Sequence, residues 1–109
     1  MNLEQMLKVL GEPMRFKIYQ ALLERKHCVR SLSKKLGVTE SAISQHLKLM
    51  KEAGLVYGEK YGYHTHYLPR QDAADYLARQ FESIRRAALA VDRDMTDCHC
   101  EFRKEGGKE

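Results

Sequence analysis

The chain contains few cysteines and no long hydrophobic run, and these shortages exclude several classes of protein. Its three cysteines among 109 residues are too few and too scattered for the disulfide framework of a small secreted domain. No stretch approaches the ~20 apolar residues of a membrane-spanning helix. The opening MNLEQMLKVL lacks the charged start and apolar run of a signal peptide. We therefore expect a soluble, cytoplasmic protein with no membrane partner.

The residue patterns of an enzyme are also missing. There are no paired carboxylates, no nucleophile beside a base and no glycine-rich phosphate loop, and the five histidines are scattered along the chain. A chain of 109 residues without repeats or linkers forms one small domain. The thin core of such a domain leaves room for a partner subunit to bury more surface. We expect a binding protein rather than an enzyme.

Positive charge lies in the first two-thirds of the chain. Residues 1–69 carry 11 Lys and Arg against 6 Asp and Glu, whereas residues 70–109 carry 8 against 9. A basic domain favours a polyanionic partner, although a net charge of +4 also fits an ordinary solvated surface.

Two amphipathic helices are predicted at the start. The first ends at Gly11, and its apolar stripe has the i, i+3, i+4, i+7 spacing in Leu3, Met6, Leu7 and Leu10. The second begins at Pro13, which suits the first helical position, and continues to about Arg25. Its inward residues are expected to be Phe16, Tyr19, Leu22 and Leu23.

The segment CVRSLSKKLGVTESAISQHLKLMKEAGL, residues 28–55, has the pattern of a helix-turn-helix. Its first helix stops at Gly37, whose missing Cβ suits a tight turn. Thr39 can cap the second helix, which is expected at about residues 40–52 and stops before Gly54. The inward residues of the second helix are Ala42, Ile43, Leu47 and Met50. In this motif the second helix enters a DNA groove, whereas an ordinary helical hairpin with a polar face is the alternative.

The outward face of the recognition helix carries side chains suited to DNA. Small hydroxyl groups permit close approach, glutamine can bond adenine, and lysine can bond phosphate. Together with the hairpin that follows, the candidate DNA-binding residues are Thr39, Glu40, Ser41, Ser44, Gln45, His46, Lys48, Lys60, Tyr63 and His64.

Aromatic and β-branched residues follow in LVYGEKYGYHTHYLP, residues 55–69, around a predicted turn at Gly62. A β-hairpin at about residues 55–68, directly after a helix-turn-helix, is a wing. The predicted fold class is therefore mainly α with a small β-hairpin (α+β), a winged helix-turn-helix. His64 and His66 share one face of the second strand, and we expect them to pack or to face phosphate rather than to bind metal.

Residues 4–69 resemble the ArsR/SmtB family of bacterial winged-helix repressors. The resemblance rests on GEPMRFKIYQAL, on the helix-turn-helix segment and on Gly62 at the wing tip. It implies a homodimer that binds a palindromic operator in double-stranded DNA without a cofactor and leaves it when a metal, metalloid or oxidant binds. Family wings tend to carry arginines at the tip, whereas this wing has Tyr61 and Tyr63 with Lys60 as its charge. Wing contacts are then weaker, or are made by tyrosine hydroxyls to phosphate.

One long helix is expected over residues 71–97, which completes a winged-helix domain at 1–97 and leaves a cysteine-containing tail at 98–109. Its apolar residues recur at spacings of 4 and 3, which keeps a seam against another helix. At 1.5 Å per residue it would be about 40 Å long, more than its own domain needs, so a dimer is favoured over packing within one chain. The two recognition helices of such a dimer would lie about 34 Å apart, in successive major grooves. The N-terminal helix is expected to join this interface, whose residues are Leu3, Met6, Leu7, Leu77, Phe81, Ile84, Ala88, Val91 and Met95.

The cysteines are the candidate sensor. Zinc-sensing family members use histidines on the last helix, and residues 71–97 contain none. Thiolate-sensing members carry Cys-Val-Cys before the helix-turn-helix, where this chain has Cys28-Val29-Arg30. Cys98 and Cys100 can supply the missing ligand if the helix has ended, because residues i and i+2 share a face only in an extended segment. The predicted metal ligands are Cys28, Cys98 and Cys100, with His99 available as a fourth.

Three thiolates favour As(III) or Sb(III) as inducer, with cadmium, lead or zinc able to recruit His99. Magnesium and calcium are excluded because they prefer oxygen ligands. Ligation is expected to pull the end of the long helix towards the helix-turn-helix. This movement would rotate the two recognition helices so that their separation no longer matches that of successive major grooves. A redox or persulfide switch on the same cysteines is one alternative, and a buried Cys28 with an inert tail is another. A module for protein–protein assembly is the alternative of another class.

Overall fold

The computed structural model describes residues 1–96 together with Cys98 and Cys100. Within that part the chain forms five helices and one antiparallel hairpin, as predicted. Their order is α1 (Leu3–Leu10), α2 (Pro13–Glu24), α3 (Val29–Leu36), α4 (Glu40–Glu52), β1 (Val56–Tyr61), β2 (His64–Pro69) and α5 (Gln71–Ala90). None of the helices described is long and apolar enough to cross a membrane.

Side chains and glycines fix the first helix boundaries where the sequence places them. The Glu12 carboxylate accepts a hydrogen bond from the Arg15 N–H at 2.8 Å and caps α2, whose first residue is Pro13. Thr39 Oγ1 accepts from the Ala42 N–H at 3.1 Å and caps α4. Between α3 and α4, Gly37 has φ +72°, a left-handed conformation that glycine adopts without strain.

The core lies where the first four helices meet the start of the wing. Its largest fully buried side chains come from all of these elements: Met6, Ile18, Leu32, Ile43, Leu47, Met50 and Leu55. Three of them, Ile43, Leu47 and Met50, form the inner face of α4 at helical spacing. Packing on this face turns the polar face of α4 outward.

The inward face of α2 differs from the prediction. Phe16 and Leu23 are 47% and 57% exposed, whereas the buried face consists of Ile18, Tyr19, Ala21 and Leu22. At about 100° per residue, Phe16 and Leu23 lie on the opposite side of the helix from the Ile18–Leu22 stripe. The expectation that all four predicted apolar residues point inward is therefore wrong for these two.

Helix α5 ends at Ala90, seven residues before the predicted end. The next residue, Val91, is extended (φ −66°, ψ 131°). Beyond it the Asp92 and Asp94 carboxylates each accept the N–H two residues later, both at 2.9 Å. These local bonds compete with helical ones and stabilise turns. Val91 and Met95 therefore do not continue the helical stripe, and α5 is about 30 Å long rather than about 40 Å.

The wing is a hairpin of two six-residue strands in which Tyr61 pairs with His64 at the tip. The turn consists of Gly62 and Tyr63, and only Gly62 has a positive φ, +64°. Glycine at the first central position is the pattern of a type II′ turn, which suits the twist of two paired strands. At the other end of the hairpin, His27 forms an isolated bridge with Tyr67, so the loop before α3 is attached to β2.

Candidate nucleic-acid interface

The exposed face of α4 carries most of the predicted DNA-binding residues. Ile43, Leu47 and Met50 are buried, Ala42 and His46 are half-buried, and the other positions of the helix face solvent. Those predicted to bind DNA and found exposed are Thr39, Glu40, Ser41, Ser44, Gln45 and Lys48. Small hydroxyl groups beside a glutamine and a lysine permit close approach to base edges, with the lysine left for phosphate.

His46 is placed differently from its neighbours on α4. It is half-buried, and its Nδ1 lies 3.5 Å from the Arg15 Nη1 of α2. His46 thus contacts α2 through one face of its ring, and its assignment as a DNA-binding residue stays a prediction. The sequence shows no local sign of this contact, because the two residues are 31 positions apart.

The wing tip presents the other predicted DNA-binding residues. Lys60, Tyr63 and His64 are exposed, and Tyr63 projects freely at the turn. The Tyr61 ring lies 6.1 Å from the His66 ring and beneath the Lys26 ammonium, which is 5.8 Å from its centroid. Tyrosine hydroxyls and basic groups around this hairpin suit phosphate contact.

Arg30 is a basic residue that the sequence reasoning omitted from the DNA-binding set. It lines an open cleft of about 430 Å³ between the start of α3 and the wing, together with Glu40, Tyr63 and His64. The available signal was its charge at the start of the helix-turn-helix. Its exposed position beside the wing adds a cation to the face that α4 and the wing present.

Cys28 caps α3 and lies next to this face. Its Sγ accepts a hydrogen bond from the Ser31 N–H at 3.4 Å, and the side chain is half-buried. Beside it, His27 Nδ1 lies 2.5 Å from Ser31 Oγ. Burial lowers the pKa of His27 below its ordinary range, and the positive charges of Lys35 and Arg25 lower it further. His27 is thus held towards its neutral form.

Cys98 and Cys100 lie together, well beyond the end of α5. Their Sγ atoms are in bonding contact, their Cα atoms are 5.5 Å apart, and the Cys100 N–H donates to Cys98 Sγ at 3.4 Å. The prediction that this pair shares one face once the helix has ended agrees with this geometry. His99, the predicted additional ligand, lies outside the described residues, as does most of the predicted tail at 98–109.

Cys28 does not join this pair within one chain. In residues 1–96, Cys98 and Cys100, no three His, Cys, Asp or Glu side chains lie close enough to hold a metal ion. The predicted three-thiolate set is therefore not gathered in the described conformation of one chain. The chemistry of the three sulfurs suits a soft ion.

An exposed apolar surface runs across α1, α2 and α5. A groove of about 290 Å³ is lined by Leu7, Leu10, Gly11, Phe16, Leu77 and Phe81. Further along α5, Ile84 and Leu89 are 52% and 70% exposed, and Ala88 is exposed as well. We call these residues the α1–α5 apolar surface. An apolar surface of this extent on a small domain marks an interaction site.

Four of the predicted interface residues lie elsewhere than expected. Met6 is fully buried and Leu77 is 8% exposed, so both belong chiefly to the core of their own chain. Val91 and Met95 lie beyond the end of α5, whereas Leu7, Leu77 and Phe81 line the groove. Leu3 is half-buried, and Phe16, predicted to point inward, instead adds to the apolar surface.

One family model and two known regulators are similar in sequence to this chain. The family model described as "Bacterial regulatory protein, arsR family" matches residues 12–57. The HTH-type transcriptional regulator CmtR of Mycobacterium bovis is 33% identical over 88 residues, which cover 81% of this chain and 72% of CmtR. The HTH-type transcriptional repressor SmtB of Mycobacterium tuberculosis is 41% identical over 58 residues, which cover 53% of this chain and 43% of SmtB. The match thus spans less than half the length of SmtB.

A solved structure shows the same fold. The homodimeric winged helix-turn-helix DNA-binding domain of Mb0332 from Mycobacterium bovis superposes with a TM-score of 0.65 at 20% identity, over 80% of this chain and 81% of that one. At this identity the likeness concerns the fold alone. It confirms the predicted fold class, a mainly helical winged helix-turn-helix.

Proposed function

This chain belongs to the ArsR family of bacterial regulatory proteins, and we propose that it is a homodimeric transcriptional repressor that binds a palindromic DNA operator. The observation that carries the proposal is the exposed polar face of α4, held outward by Ile43, Leu47 and Met50 beside the wing. This arrangement matches a recognition helix that enters the major groove.

Each element has a distinct part in DNA binding. Gln45 can bond an adenine edge, and the hydroxyls of Ser41 and Ser44 permit the close approach that this requires. Arg30 and Lys60 contact phosphates on either side of the groove, which fixes the register without reading sequence. The affinity therefore contains a large electrostatic part and falls as salt concentration rises.

The α1–α5 apolar surface is the proposed dimer interface. Its exposed Leu7, Phe16 and Phe81 are covered when a second copy packs against it by two-fold symmetry. The dimer then carries two copies of α4, which read two half-sites about one helical turn apart. CmtR and SmtB are transcriptional regulators by name, which agrees with this use of the fold.

The proposed inducer is a thiophilic metal or metalloid that binds Cys28, Cys98 and Cys100. As(III) and Sb(III) suit three sulfur ligands, while cadmium, lead or zinc would recruit His99 in addition. Because the described part of one chain does not gather three such ligands, we place this site between protomers, with Cys28 from one and the pair from the other. When the ligand binds the DNA-incompetent state ~1.4 kcal/mol more tightly than the DNA-competent state, the affinity for DNA falls tenfold.

A thiol switch is the second candidate, favoured by the contact of the Cys98 and Cys100 sulfurs. Two thiols there would form one disulfide, losing two protons and passing two electrons to an oxidant such as a persulfide or peroxide. The same cysteines thus serve either chemistry, and only the ligand differs.

One titration tests both candidates. The DNA fragment upstream of this gene is bound to the protein, and release is followed with arsenite, antimonite, cadmium, zinc and a persulfide donor. We expect release by arsenite or antimonite in wild type and loss of release in Cys28→Ser, Cys98→Ser and Cys100→Ser variants. Release that survives in a Cys98→Ser, Cys100→Ser double variant removes the pair from the sensor. A protein that does not shift this fragment is instead an assembly module, the alternative of another class.

A further inference from the structure

Arg15 joins three elements of the fold through separate bonds. Its Nε donates to the Val9 carbonyl at 2.6 Å, and its backbone N–H donates to the Glu12 carboxylate at 2.8 Å. Its Nη1 faces His46 Nδ1 at 3.5 Å. The side chain thus touches the end of α1 and the middle of α4, while the backbone N–H of the same residue closes the cap of α2.

The bond to α1 meets a need of that helix. Because α1 ends at Leu10, the Val9 carbonyl belongs to the last turn, whose carbonyls have no intrahelical partner. The guanidinium satisfies this carbonyl and places positive charge at the negative end of the helix dipole. A movement of the end of α1 therefore displaces the carbonyl that Arg15 binds.

The charges around Arg15 are arranged to hold it. The bond from the Arg15 N–H chiefly lowers the pKa of Glu12, burial opposes this effect, and the positive charge of Arg15 lowers the pKa further. Glu12 is consequently ionised beside Arg15, which is half-buried. The guanidinium is kept in a fixed place rather than free in solvent.

The contact with α4 sets the form of the histidine. Arginine carries only hydrogen-bond donors, so a hydrogen bond from its guanidinium to His46 Nδ1 requires the tautomer with the ring proton on Nε2. This half-buried ring is the only α4 side chain that Arg15 bonds in the described part of the chain. It lies between Gln45, on the reading face, and Leu47, in the core.

We propose that Arg15 and His46 are positioning residues that fix the recognition helix α4 to the end of α1, so that a shift of α1 at the dimer interface reaches the DNA-reading face. The path consists of the Val9 carbonyl, the Arg15 guanidinium and the His46 ring. This inference rests on the proposed DNA-binding function. A positioning role uses the Nδ1 atom of His46, which faces Arg15. A direct role on DNA would instead use Nε2 to contact a phosphate or a base.

Asparagine and glutamine separate these two roles. The asparagine amide superposes on the Nδ1 side of a histidine ring, and the longer glutamine amide superposes on the Nε2 side. We expect His46→Asn to bind the operator fragment within about threefold of wild type, because its oxygen still accepts from Arg15. His46→Gln and His46→Ala are expected to bind about tenfold more weakly, which is about 1.4 kcal/mol. Matched melting temperatures of the Asn and Gln variants show that both are folded.

A second background tests whether His46 acts through Arg15. Lysine at position 15 keeps the positive charge but cannot span Val9 and His46 with a planar fork. In the Arg15→Lys background we expect the Asn, Gln and Ala variants of His46 to bind the fragment equally, as a coupled pair requires. Better binding by His46→Gln than by His46→Asn, or an alanine effect unchanged by Arg15→Lys, would overturn the positioning role. Wild type that binds no operator DNA would overturn the proposed function itself, a result that the first measurement of the series reveals.

Discussion

His27 and Tyr67 exchange two backbone hydrogen bonds, from the His27 N–H to the Tyr67 carbonyl at 3.3 Å and from the Tyr67 N–H to the His27 carbonyl at 2.8 Å. The loop before α3 therefore lies beside β2 as a single-residue extension of the wing. Cys28 follows His27 directly, so a ligand on its sulfur acts at the junction of the helix-turn-helix and the wing.

Replacing Cys28 tests its role as a helix cap. Serine is a strong N-cap and its oxygen can accept the Ser31 N–H bond, whereas alanine cannot. We expect Cys28→Ala to lower the free energy of unfolding by about 1 kcal/mol relative to Cys28→Ser, as measured by urea denaturation. Equal stability of the two variants would show that the cap is unimportant. If Cys28→Ser is at least as stable as wild type, this variant serves as a folded control in inducer titrations.

His27 makes stability depend on pH. Burial, with the charges of Lys35 and Arg25, lowers its pKa in the folded chain, so the unfolded chain takes up a proton at higher pH than the folded one. The contribution of neutral His27 to folding stability is therefore complete above about pH 6.5, the ordinary pKa of histidine, and it is lost as the pH falls below that value. We expect wild type to lose more stability than His27→Asn between about pH 7.5 and 5.5, as followed by urea midpoints. The exposed His64→Asn variant is the control and should behave as wild type does.

A charge on α5 should separate the dimer. Phe81 is 48% exposed at the edge of the apolar groove, and burying a carboxylate there is unfavourable. We expect Phe81→Asp to raise the dimer dissociation constant at least about tenfold, as measured by sedimentation equilibrium, and to weaken operator binding with it. Ser83→Asp adds the same charge to an exposed position on the other side of α5 and should leave both unchanged. A Phe81→Asp protein that remains dimeric would place the interface elsewhere.

Salt dependence reports the phosphate contacts. Removing a residue that binds phosphate lowers the slope of log K against log salt concentration by about 1 per contact, for any DNA sequence. We expect this for Arg30→Ala and Lys60→Ala, and no change for Arg79→Ala on α5, where Arg79 pairs with Asp75 instead. Fluorescence anisotropy at several salt concentrations measures the slopes. An unchanged slope for Arg30→Ala would mean that its cleft faces away from the DNA.

Features that are local in sequence were predictable from it. Pro13, Gly37, Thr39 and Gly62 each stand at the boundary that their chemistry favours, because caps and turns involve residues within three or four positions. The outward face of α4 followed from its periodicity for the same reason. The winged-helix fold class was likewise predictable from the order of these elements.

Features that depend on distant or competing contacts were not. The apolar spacing continues through Val91 and Met95, and nothing in it shows that the Asp92 and Asp94 carboxylates take the backbone N–H groups instead. The outward direction of Phe16 depends on how α2 rotates against its neighbours. The contact of His46 with Arg15 exists only because α2 and α4 pack together.

The early end of α5 changes how far the cysteine pair can extend from the body of the protein. Cys98 lies eight positions after Ala90, and as a helix this connection would advance about 12 Å. The same residues in an extended conformation span at most about 28 Å, which the turns at Asp92 and Asp94 shorten. The sulfur atoms of the pair can therefore lie at any of a wide range of distances from α5, up to that limit. A rigid helix to residue 97 would instead have fixed their distance, so the geometry of any site that they share with Cys28 is set by the length of this connection.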